Sequence, residues 1–142
     1  MKKINKTRIL AFIFVVALIA SSALFCSCKK DDANVLGKGN TSFKLEVTDD
    51  KGETKTFTIK TNEKNLGDAL MHEDVKLIDL DEYGMVSTVN GLKSDFDANE
   101  SWWNVLIKGA DATVGVFDIE IEKDAVYSFK YTIGFDMGDW GD

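Results

Sequence analysis

Past Cys28 the sequence contains no cysteine. That stretch therefore has no disulfide framework, no thiolate metal site and no thiol nucleophile, and its stability must come from packing alone. Histidine is nearly as scarce, with His72 the only one in the chain. No serine elbow, no cluster of metal ligands and no histidine beside a nucleophile occurs, so an enzyme is the least supported class. Carboxylates are plentiful, but most alternate with apolar residues, where a wetted strand face accounts for them. Positive charge is also short. Four of the 17 basic residues fall within the first eight positions, and all 24 acidic ones follow Cys28, so the chain from residue 28 onward carries 13 against 24, a net charge of −11. Such a surface repels phosphate backbones, and no basic stripe interrupts it. No nucleic-acid partner is expected.

The opening of the chain lacks acidic residues altogether. Lys2, Lys3, Lys6 and Arg8 precede an unbroken apolar run over residues 9–20. Those 12 residues are too short to span a hydrocarbon core of ~30 Å comfortably. A basic end, a short apolar run and small residues after it describe a secretory signal. The segment Leu24-Phe25-Cys26-Ser27-Cys28 resembles the lipobox of bacterial lipoproteins, with Ser27 at the small-residue position. The resemblance implies removal of residues 1–27, attachment of palmitate-type acyl chains at Cys28, and a membrane anchor on the extracytoplasmic face of a bacterium. Phe25 departs from the leucine usual three residues before the cysteine. Cys26 is the poorer acceptor, because bulky Phe25 would precede it.

The remaining 115 residues suit a single domain. Residues 29–41 are polar, carry Gly37 and Gly39, and show neither strand nor helix period, so residues 28–41 read as the lipidated cysteine and a flexible spacer. Phe43, Leu45 and Val47 then alternate with Lys44, Glu46 and Thr48, and after Asp49-Asp50-Lys51-Gly52 a second run, 54–60, places Phe57 and Ile59 on one face. This predicts a β-hairpin. Asn65 is positioned to cap a short helix whose Leu66, Ala69 and Leu70 form an apolar stripe, with Asp68 near its positive end. Further strands are predicted at 85–89, at 102–107, over the alternating Phe117, Ile119 and Ile121, and over Tyr127, Phe129, Tyr131 and Ile133. Strand, strand, helix, then several strands is an α+β order, with one short helix packed on a curled mixed β-sheet.

Residues 85–92 (Met-Val-Ser-Thr-Val-Asn-Gly-Leu), then 102–109 (Trp-Trp-Asn-Val-Leu-Ile-Lys-Gly), Val114-Gly115-Val116 and the 119–129 segment resemble the C-terminal β-domain of transcobalamin and intrinsic factor. The likeness is greatest to bacterial lipoproteins that carry this domain alone. It implies a β-grasp-like domain over residues 42–134, followed by an acidic tail, 135–142. In the vertebrate carriers the domain closes over cobalamin held against a separate helical domain, which is not expected here. At Lys123-Asp124-Ala125 the sequence departs from the family's Asp-Gly-Asp-type turn.

Adjacent Trp102 and Trp103 must point to opposite faces of an extended strand. Trp103, Val105 and Ile107 form the more continuously apolar face, which leaves Trp102 and Asn104 on the side available to a ligand. A flat aromatic beside an amide suits a large ring-bearing ligand, since stacking supplies area and the amide fixes orientation. The alternative is that both tryptophans are packing residues under a loop. Asn90-Gly91 is first a turn signal and only secondarily a ligand contact. Residues 93–101 form an acidic loop that could move against Trp102. His72 sits at the end of the helix, where a surface role is commoner than ligation of a corrinoid cobalt. The tail interleaves acids with glycines but lacks the register of a calcium loop.

Together these readings describe a surface-tethered module that needs no cofactor, captures a small molecule such as cobalamin or another corrinoid, and passes it to a membrane transporter. The competing reading is a structural or adhesive module that binds a protein partner or the cell wall. A capture module should present a concave patch around Trp102 and Asn104, and an adhesive one a flat or edge-strand surface.

Overall fold

Alternation of apolar and polar side chains sets the main sheet, and a computed structural model shows how its strands assemble; residues 34–134 are described. The Cys28 expected to carry the lipid, the expected signal segment and the acidic tail lie outside the described residues.

Strand β2 (Thr41–Thr48) turns its Phe43, Leu45 and Val47 inward and pairs antiparallel with β3 (Thr54–Thr61) over its full length. Asp49 makes the turn: its Oδ1 accepts from the backbone N–H groups of Lys51 and Glu53, both at 2.9 Å, and Gly52 takes the positive φ of +80°. Helix α1 (Leu66–Met71) follows. Asn65 caps it as its sequence predicts, accepting from Asp68 N at 2.8 Å and donating through Nδ2 to Asp68 Oδ2 at 2.7 Å. Its apolar stripe, Leu66, Ala69 and Leu70, is fully buried.

A small second sheet follows, formed by β4 (Ile78–Leu80), β5 (Val86–Val89) and β6 (Leu92–Lys93), all antiparallel. One-turn helix α2 (Phe96–Asn99) leads into β7 (Ser101–Ile107) and β8 (Ala110–Asp111). A 3-10 turn (Val116–Asp118) precedes the last described strand, β9 (Val126–Ile133). With β1 (Val35–Gly37), the main sheet has the order β1-β3-β2-β9-β7-β8. β1 runs parallel to β3 and β2 parallel to β9, while the other pairs are antiparallel, so the sheet is mixed and the class α+β.

β9 occupies the centre. Tyr127 and Phe129 are 1% and 0% exposed and meet Leu45 and Val47 on one side and Ile107 and Val105 on the other. The Tyr127 ring stands edge-on to Phe43, with centroids 5.3 Å apart. Its hydroxyl donates to Glu120 O at 3.0 Å and accepts from Glu122 N at 2.9 Å, tying the segment before β9 to the core. Tyr127→Phe leaves both backbone groups without that partner and should lower stability by about 1–3 kcal/mol in chemical denaturation. A loss within the scatter of wild-type measurements would mean that water replaces the hydroxyl.

Three sequence expectations need correction. The spacer does not extend to Thr41, because Val35–Gly37 joins the sheet edge; three residues are too few to show a period. Phe117, Ile119 and Ile121 do not form a ladder strand. Phe117 lies in the 3-10 turn, 44% exposed, while Leu66 N donates to Ile119 O and Ile121 N to Lys64 O, which joins this stretch to the approach to α1. The sequence predicts one short helix, but the 93–101 segment holds a second: Asp95 caps α2 by accepting from Ala98 N at 3.0 Å, and Glu100 closes it in the left-handed region.

Candidate functional site

Strand β7 separates its two tryptophans as adjacency requires. Ser101 and Trp103 face the core, at 1% and 5% exposure, and the Trp103 ring meets Tyr131 edge-on with centroids 5.3 Å apart. Trp103 Nε1 is buried and finds no hydrogen-bond partner among the described residues. Trp102, Asn104 and Leu106 occupy the opposite face, all half-buried. The register sets Trp102 beside Thr132, Asn104 beside Lys130 and Leu106 beside Ser128, and on β2 continues the last two rows to Thr48 and Glu46. Helix α1 packs on the other face with Phe43, Ile59 and Phe129, so the Trp102 face carries only exposed or half-buried side chains.

Hydrogen bonds hold the Trp102 neighbourhood. Its Nε1 donates to Gly134 O at 3.1 Å, and Gly134 N donates to Glu100 O at 2.9 Å, which locks the end of β9 to the end of α2. Asn104 Nδ2 donates to Asp111 Oδ1 at 2.8 Å, a bond that fixes the amide at the β7–β8 edge. What results is an indole and an oriented amide on one sheet face, two residues apart. Such a pair can stack against a flat ligand and hydrogen-bond its periphery.

Asn90 is not part of this pair. It stands in the β5–β6 turn with φ +48°, followed by Gly91 at +81°, the paired positive φ of a tight hairpin, and it belongs to the other sheet. Trp103 belongs to the core. Of the four residues singled out from sequence, the structure brings Trp102 and Asn104 onto one surface. His72 forms the C-terminal boundary of α1 and is exposed.

A concavity away from this face has no counterpart in the sequence reading. A cavity of about 510 Å³, open-sided, is lined by Glu63, Asp68, Met71, His72 and Phe117. Its one sequence signal is Gly67, a helix-weakening residue inside an apolar helical stripe: a Cβ there would lie 2.6 Å from Phe117 Cδ1. Among the described residues no group of three or more His, Cys, Asp or Glu side chains could hold a metal ion, and no helix is long and apolar enough to cross a membrane.

No protein-family model and no curated protein sequence matches the chain. Solved structures do. A candidate metal-binding protein from Ruminococcus gnavus superposes with a TM-score of 0.61 at 21% identity, over 68% of this chain and all of that one. Haptocorrin in complex with Cbi superposes with a TM-score of 0.54 at 12% identity, over 67% of this chain and 25% of that one. The chain thus matches a quarter of haptocorrin's length. At these identities the likeness is one of fold.

Proposed function

We infer that this chain is a ligand-binding module and not an enzyme, tethered through Cys28 to the outer face of a bacterial membrane, where it captures a corrinoid for a membrane transporter. The observation that carries the reading is the half-buried Trp102 beside Asn104 on a sheet face that α1 leaves uncovered. Support comes from the fold shared with haptocorrin, whose structure holds Cbi, and from the resemblance of residues 85–92 and 102–109 to the transcobalamin β-domain. The strand order supports the β-grasp-like reading: the first hairpin lies beside a central last strand that runs parallel to β2. An anchor would keep the module at the transporter and raise its effective concentration there.

Titrating the full chain with cobalamin and with cobinamide, followed by tryptophan fluorescence with absorbance correction, tests this. Saturable quenching is expected, with affinity weaker by up to about tenfold in Trp102→Ala, the scale of one lost aromatic stack. Absence of saturable binding by wild type would turn the reading toward an adhesive module on the same face. Binding unchanged in the variant would remove Trp102 from the site.

A further inference from the structure

We propose that the cavity between α1 and the 3-10 turn is a second binding site, separate from the Trp102 face, that takes a small organic cation with an apolar body. The site is built around a ring held in place by an absence. A Cβ on Gly67 would lie 2.6, 2.8 and 3.0 Å from Cδ1, Cε1 and Cγ of Phe117, so glycine is what lets the ring lie against the helix backbone. One side of Phe117 is thereby supported while the residue stays 44% exposed. Residues 68, 71 and 72 are spaced three and four apart and share the exposed side of α1, so Asp68, Met71 and His72 form the wall beside the ring. Met71 is 42% exposed, an apolar and polarizable surface next to an aromatic one.

Charge selects the ligand. The lining holds two carboxylates, Glu63 and Asp68, and neither lysine nor arginine. Asp118 and Glu120 are exposed on the stretch that carries Phe117, and with Glu63 and Asp68 they outnumber the exposed Lys64 beside Glu63, so the charge around the cavity is negative on balance. An exposed aromatic face attracts cations through its quadrupole, and a nearby carboxylate adds to that attraction. Asp68 is oriented for the purpose by its 2.7 Å bond from Asn65 Nδ2. The concavity is open to solvent and would hold only part of a ligand, and the ligand class its lining selects is a primary or quaternary ammonium compound with an apolar arm.

The test is an amide-shift titration of the 15N-labelled full chain with three probes of one shape: phenethylammonium, 2-phenylethanol and phenylacetate. Saturable shifts over Leu66–Met71 and Val116–Asp118 are expected with the cation, which should bind about fivefold more tightly than the neutral alcohol, with the anion weakest. Phe117→Ala and Asp68→Asn should each weaken the cation about threefold or more. Both side chains are exposed, and Asp68→Asn keeps the helix cap because Asn65 bonds the backbone N–H of residue 68. Phe117→Leu stands in if the alanine variant loses its fold. Equal affinity for cation and alcohol, strongest binding of phenylacetate, no saturable shift in these segments, or wild-type affinity in both variants would each overturn the proposal. Since Trp102 lies on the other side of the sheet from α1, Trp102→Ala should leave these shifts unchanged whether or not a corrinoid binds.

Discussion

Phe129→Ala should lower the stability of the domain by about 3–5 kcal/mol, a large fraction of the roughly 5–15 kcal/mol typical of single domains. The ring is 0% exposed at the middle of the central strand, between Val47 on β2 and Val105 on β7. Its removal forfeits the transfer energy of the largest side chain at that position and leaves a void that backbone hydrogen bonds on both sides of β9 prevent from closing. Phe129→Leu keeps most of the volume and should cost less than half as much. Urea or thermal unfolding of the two variants reads the contrast directly. If both lose equally little, the centre of the sheet is not where the packing energy resides.

The second large effect is expected at the sheet edge. Gly37 has φ +76°, and a Cβ there would come 2.3 Å from Lys60 O and 2.9 Å from Val75 Cγ2. Gly37→Ala therefore combines left-handed strain with a clash against backbone that cannot move aside, and a loss of about 2–4 kcal/mol follows. Gly52 is the control: its φ is +80°, yet nothing lies within 4 Å of the position its Cβ would take. Gly52→Ala should show the conformational part alone, about 1–2 kcal/mol. Equal losses in the two would mean that β1 does not hold against β3 in solution, and that the spacer does reach Thr41.

Legibility followed the length of the pattern. The β2–β3 hairpin announces itself through two alternating runs and an Asp-Asp-Lys-Gly turn, and α1 through one capping asparagine and three apolar positions. β7 and β9 are equally plain. β1 and β4 are three residues each, too short for a period, and the place of β1 is decided by a partner more than 20 positions on, in β3. The stretch from Phe117 to Ile121 alternates like a strand, yet its hydrogen bonds go to the residues flanking Asn65. Alternation reports which side chains face inward and is silent on whether a ladder forms: Ile119 is buried as the pattern says, and Phe117 is not. Of the candidate sites, the division of Trp102 from Trp103 follows from adjacency on a strand. The Phe117 cavity could not be read ahead, because it depends on Gly67 and Phe117 meeting across the fold.

The parallel pairing of β2 with β9 joins residues as distant as Glu46 and Ser128, which are 82 positions apart and bonded through Ser128 Oγ at 3.3 Å. Loop closure of that span must precede the contacts that reward it, which slows folding. Until β9 arrives, β2 and β7 have no strand between them and the core has no centre. A nascent chain with this topology cannot complete its core until nearly the whole described length has been made, so if it is exported as proposed, the order of the strands would defer folding to the far side.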